Sequence, residues 1–181
     1  AERAALEDAW QALALAPAPV APRLALRQRL LDRLAAEPVP DPTFLDRVAR
    51  LFDLGLAETK KWLSSITDPE AWVPALPGVR LMHIPPGPAA VGADCGFVAI
   101  AAGERFPHHR HRGVETALIL SGSVLDIPPP GRGAPAVHHP GDLVIAEADS
   151  EHELLALEDL VFAVTVFSGV QILVGDVQIT E

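Results

Sequence analysis

Cysteine is almost absent from this chain: Cys95 is the single one among 181 residues. One thiol excludes an intrachain disulfide and fits a reducing compartment. Long apolar runs are missing too. No stretch of the ~18–20 residues needed to span a bilayer is free of both charge and proline, and the N-terminus lacks a basic-then-apolar signal pattern. Positive charge is scarce, with 14 basic against 24 acidic residues, a net charge of -10. Residues 71–181 hold only five of the basic residues, none of them lysine. Nucleic-acid binding runs on Lys and Arg displacing counterions from phosphates, so direct contact of this part with nucleic acid is disfavoured. These absences describe a soluble, cytoplasmic chain with no membrane and no direct nucleic-acid partner.

Apolar residues are plentiful, at 49%, enough to bury a core. Their spacing changes along the chain. Leu6, Trp10 and Leu13, then Leu26, Leu30 and Leu34, recur at helical intervals, with "PAPVAP" between the two stripes as a stop. "EPVPDP" follows as a stiff linker. A third helix is expected to begin with Asp41 as N-cap and Pro42 at its first position, to bury Phe44, Val48, Leu51 and Phe52, and to end at Gly55. A fourth, over about 57–66, presents Trp62, Leu63 and Ile66. The expected organisation is a helical segment over 1–36, a linker with helices over 37–72, and a β domain over 73–181.

That β domain is read from about eight short apolar runs after Gly78, each closed by Pro, Gly or Asp, the mark of an antiparallel sandwich or barrel. "IPPPGRGAP" reads as a hairpin tip. Within "FPHHRHRGVETALILSG", His109 and His111 sit two apart, so a strand presents both imidazoles to one side. Glu115 follows, and His152 comes from a distant run after Pro140-Gly141-Asp142. Imidazole nitrogens with a carboxylate suit zinc, iron, manganese or nickel. A register slip would put His108 in place of His109. His138 and His139 read as surface loop residues, His83 as a core histidine, and Cys95 as either a small buried residue or an exposed thiol.

Gly103, five residues, His109, one residue, His111, three residues, Glu115, six residues and Gly122 resemble, without a gap, the first motif of the cupin superfamily. Pro140-Gly141-Asp142 with His152 resembles the second, although no asparagine follows the histidine. The resemblance covers 79 to about 175. It implies an α+β chain in which a helical segment precedes an antiparallel β jelly-roll, with one divalent metal held by His109, His111, Glu115 and His152.

The acidic Ala/Leu helix, the "LALAPAPVAP" break and the Arg/Leu helix, joined to a cupin, resemble the ChrR-type anti-sigma factors. That likeness implies a regulator binding an extracytoplasmic-function sigma factor and responding to oxidative stress, with zinc as the expected metal. One departure is plain. The family's helical domain carries its own zinc site, yet no histidine precedes His83 and no cysteine precedes Cys95. Either that segment lies upstream of Ala1, or this is a variant without it, or the helices do something else, such as capping one face of the barrel. A metal-dependent dioxygenase acting on a small diketone or aromatic substrate is the alternative expectation. Pairing of two copies through sheet edges is compatible with the strands near the C-terminus.

Overall fold

Two runs, Ala93–Ile100 and Leu160–Phe167, are apolar at nearly every position, and strands of that kind must be covered on both faces. The computed structural model, which describes residues 42–174 and 177–178, shows how both faces are met. The helices read within 1–36 and the capping role of Asp41 lie outside the described residues.

Two helices, α1 (Pro42–Phe52) and α2 (Leu56–Ser64), are followed by strands β1 (Val73–Leu76), β2 (Val79–Ile84), β3 (Ala93–Ile100), β4 (Arg105–His111), β5 (Glu115–Ser121) and β6 (Val124–Ile127). Then come β7 (Ala136–His138), β8 (Leu143–Ala146), β9 (Glu151–Ala156), β10 (Leu160–Phe167), β11 (Val170–Val174) and β12 (Val177–Gln178). One sheet has the order β1-β2-β3-β10-β5-β8 and the other β12-β11-β4-β9-β6-β7, with every pairing among these strands antiparallel. This is the α+β jelly-roll that the resemblance implied.

Alternate residues of the first sheet serve two apolar layers. Val98, Ile100, Ile119, Phe162 and Val164 point into the barrel, while Phe97, Ala99, Leu118 and Ala163 face the helices. Val48 and Phe52 of α1 and Leu63 of α2 cover that outer layer, and the Phe52 and Phe97 rings meet edge to face at 5.6 Å. Polar contacts fix the docking: Arg47 Nη1 donates to the Gly141 carbonyl at 2.7 Å, and Thr165 Oγ1 to the Leu51 carbonyl at 3.1 Å. Among the described residues, α1 and α2 thus cap one face of the barrel. Cys95 is buried in this layer, its sulfur 3.7 Å from Thr165 Oγ1.

Several local expectations are corrected. The third helix ends at Phe52, with Asp53 in the left-handed region (φ 55°) and its carboxylate accepting from Ala89 N at 2.6 Å, while Gly55 caps the start of α2. An aspartate tolerates that conformation because its short side chain bonds nearby backbone. His83 is exposed rather than core: it stands beyond Leu81, the last residue of β2 paired with β1. His138 belongs to strand β7 and is half-buried, whereas His139 is exposed as expected. Near the C-terminus, "VQILVGDVQI", expected as a single strand candidate, holds two strands, β11 and β12, which pair with each other. No described helix is long and apolar enough to cross a membrane.

Candidate metal centre

Strand β4 lies between β11 and β9, and its register decides which histidines face inward. The pairing with β9 shifts between Phe106 and His109, and His109 then stands directly opposite His152. His109, His111 and His152 are buried, at 2%, 0% and 8% exposure. His108 points outward beside Glu151, 3.5 Å away, so the slipped register is not adopted. Arg110 also faces out, its Nε donating to Glu151 at 2.7 Å, and that hydrogen bond holds the Glu151 carboxyl below its ordinary range.

The three inward rings converge through the same atom. His152 Nε2 lies 3.0 Å from His109 Nε2 and 3.0 Å from His111 Nε2. Their other nitrogens say which form each ring takes. His109 Nδ1 is 2.8 Å from the Pro107 carbonyl, which can only accept, so the proton sits on Nδ1 and Nε2 carries a lone pair. His152 Nδ1 is 2.8 Å from Asp126 Oδ1, with the same consequence. His111 Nδ1 is buried without a hydrogen-bond partner among the described residues, 3.5 Å from Glu115 Oε2.

Lone pairs facing each other at hydrogen-bond distance repel unless a positive charge lies between them. One shared proton bridges a single pair, whereas a divalent cation satisfies all three nitrogens at once. Protonation is opposed by burial: it pushes His109 down to about 3 and His111 to about 4 from the ordinary 6.5, with the neighbouring His152 adding to both shifts. Neutral imidazoles are the form that ligates metal. These three histidines could hold a metal ion, and their donor set fits one.

Glu115 opens β5, and its side chain is 14% exposed. Burial raises its carboxyl to about 7 from 4.5, with Asp126 adding to the rise and His152 opposing it. Its oxygen stands beside Nδ1 of His111 and outside the cluster of Nε2 atoms. An open cavity of about 200 Å³ reaches His109 and Glu115, lined mostly by apolar groups such as Leu81, Val98, Phe106, Phe162 and Val164.

Asp126 is the residue that sequence reading missed. It sits in "VLDI", a run read only as a strand, and shares the inner face with Val124. A carboxylate at an inward position of an apolar strand was the available signal, but inward parity is known only once the register is.

A family model described as the ChrR cupin-like domain matches residues 63–170. No curated protein matches the sequence. Among solved structures, that of Rhodobacter sphaeroides SigE in complex with the anti-sigma ChrR is similar at a TM-score of 0.51 and 24% identity, covering 90% of this chain and 77% of that one. An acetylacetone dioxygenase from Acinetobacter johnsonii has a TM-score of 0.50 and 14% identity, over 60% of this chain and 75% of its own. An RmlC-like cupin protein from Ralstonia eutropha JMP134 has a TM-score of 0.50 and 22% identity, over 60% and 71%. At these identities the structures establish the fold alone, while the family model covers more than half of the sequence: the chain belongs to the ChrR cupin-like family.

Proposed function

We propose that this protein is a metal-binding regulator, an anti-sigma factor or part of one, whose barrel holds one divalent ion and whose partner is an extracytoplasmic-function sigma factor. The observation that carries the metal half is the convergence of three buried Nε2 atoms, two of them deprotonated by their Nδ1 partners. The regulatory half rests on membership in a family represented by ChrR, the anti-sigma bound to SigE in the similar structure. The response to oxidative stress and the cytoplasmic location belong to this same reading.

Glu115 is the fourth ligand in this proposal, reached by turning its carboxylate from Nδ1 of His111 toward the Nε2 cluster. Zinc suits a regulator because three histidines and one glutamate close a tetrahedral shell, supplying a fixed charge and a template without redox chemistry. His109 and His152 then tie β4 to β9, and Glu115 adds β5. Leu118, three residues along β5, lies in the layer beneath α1, so the state of the site bears on the helices through one strand. That is the form of a two-state switch biased by a ligand.

Elemental analysis of the purified chain beside a His109→Ala/His111→Ala double variant tests the first half, and binding of the zinc-loaded chain to a sigma factor tests the second. One equivalent of zinc that is lost in the double variant, together with sigma binding by the unaltered chain, is the expected result. Absence of metal from both samples overturns the site.

The apolar cavity beside His109 and Glu115 favours a second reading, a dioxygenase of small diketones or aromatics. Three histidines and one glutamate leave two positions of an octahedral iron, manganese or nickel ion open. Oxygen uptake by the Fe(II)-loaded chain with a panel of small diketones decides: turnover supports the enzyme, and its absence with zinc bound supports the regulator.

A further inference from the structure

We infer that Asp126 is a positioning residue that determines which nitrogen His152 offers to the metal, an inference that rests on the metal-site reading above. The three histidines are restrained in three different ways. A backbone carbonyl, that of Pro107, holds Nδ1 of His109. Nδ1 of His111 has no hydrogen-bond partner among the described residues. Among the described residues, His152 alone of the three has its Nδ1 hydrogen-bonded to a side chain, Asp126 Oδ1 at 2.8 Å.

The fold shows that this contact is built. Strand β6 pairs with β9 in a register that puts Asp126 opposite Leu154, which makes His152 its diagonal neighbour on the inner face, within side-chain reach. Val124, two residues away on that face, is buried in the barrel core. Asp126 is 20% exposed and stands 3.8 Å from His138 Nε2 through its second oxygen. A carboxylate placed inward on a core strand costs stability unless paired, and the pair here is His152.

The consequence follows from imidazole chemistry. With the Nδ1 proton held by Asp126, the lone pair must sit on Nε2, the atom that faces His109 and His111. Without that acceptor the ring is free to place its proton on Nε2 or to rotate, and either change removes one of three converging donors. Partners of metal-bound histidine acting in this way are worth about 10- to 100-fold in metal affinity.

The test uses the full chain, with zinc ion as the probe. In metal-free protein, at a pH where the imidazoles are neutral, the nitrogen shifts of the His152 ring report which atom is protonated. Wild type should show the proton on Nδ1, and Asp126→Ala should lose that preference and bind zinc about 10- to 100-fold more weakly in a competition assay. Asp126→Asn keeps an acceptor oxygen and should retain the Nδ1 proton with a smaller loss of affinity. Val124→Ala perturbs the same face of the same strand without touching the hydrogen bond, and should leave both readouts as in wild type. An unchanged His152 proton or unchanged zinc affinity in Asp126→Ala overturns the inference, as does an equal loss in Val124→Ala. Should Asp126→Ala not fold, zinc affinity in Asp126→Asn equal to that of wild type overturns it. If wild type takes up no zinc, the metal reading fails, while the proton position in metal-free His152 still decides on Asp126.

Discussion

His109 and His111 resist protonation because burial leaves an imidazolium without water, and this has a measurable effect on the metal-free protein. Unfolded imidazoles take up protons near 6.5, whereas the folded ones hold out to about 3 and about 4. Between those values the unfolded chain binds more protons, so each histidine makes stability fall as pH drops below 6.5. Glu115 acts oppositely: folded, it stays protonated up to about 7 against 4.5 when unfolded, so its contribution grows as pH falls through that window. Two histidines outweigh one carboxyl, and the pair of sites should make metal-stripped protein less stable at pH 4.5 than at pH 6.5. Denaturant titrations at those two values, compared with the His109→Ala/His111→Ala variant, isolate the effect. A double variant with the same slope as wild type would show that the histidines do not set it. At this scale the candidate ligand histidines were legible from the i, i+2 spacing and the motif. Asp126 was not, because the contact that gives it meaning joins residues 26 apart in the chain.

At the scale of elements, the turns bracketing the site do different work. Gly103 and Gly122 both have positive φ, 82° and 72°, at the ends of the motif. A Cβ at Gly122 would lie 2.3 Å from the Asp159 carbonyl oxygen, whereas one at Gly103 would meet nothing within 4 Å. Left-handed backbone costs a non-glycine residue about 1–2 kcal/mol. Gly103→Ala should lose about that much stability, and Gly122→Ala clearly more, since the backbone of the turn before β10 must also move. Equal losses in equilibrium unfolding would refute the contact argument. The strands themselves were mostly legible: the run over 79–84 is β2 as read, and the other long apolar runs contain β3, β5 and β10. Strand β1 and strand β7 were not, because Val73–Leu76 contains a proline and is largely exposed, and Ala136–His138 has only three residues. Such segments become strands through a partner rather than through their own pattern.

For the whole molecule, the open question of what the helices do divides in two. Those at 42–64 cover the outer face of one sheet, through Val48, Phe52 and Leu63. The stripes Leu6, Trp10, Leu13 and Leu26, Leu30, Leu34 lie outside the described residues; as the helices expected from the sequence, they would carry more apolar surface than two short helices hide from each other. Under the proposed function they are the sigma-binding part, by helix-in-groove packing. Deleting residues 1–36 should then abolish sigma binding and leave zinc content intact, measured by co-purification and elemental analysis. Undiminished binding by the truncated chain would contradict the assignment. Amino-acid order alone indicated the two helices at 42–64, most of the strands and the candidate ligand histidines, because periodicity and motif spacing are local properties, and the jelly-roll class came with the resemblance those motifs carry. Only the tertiary structure decided that His109 rather than His108 faces inward, that Glu115 stands beside Nδ1 of His111, and that Asp126 holds His152. The first and the last depend on the register between strands far apart in the chain, where a shift of one residue would turn every side chain to the other face, and the second on how the short β4–β5 connection passes from one sheet to the other.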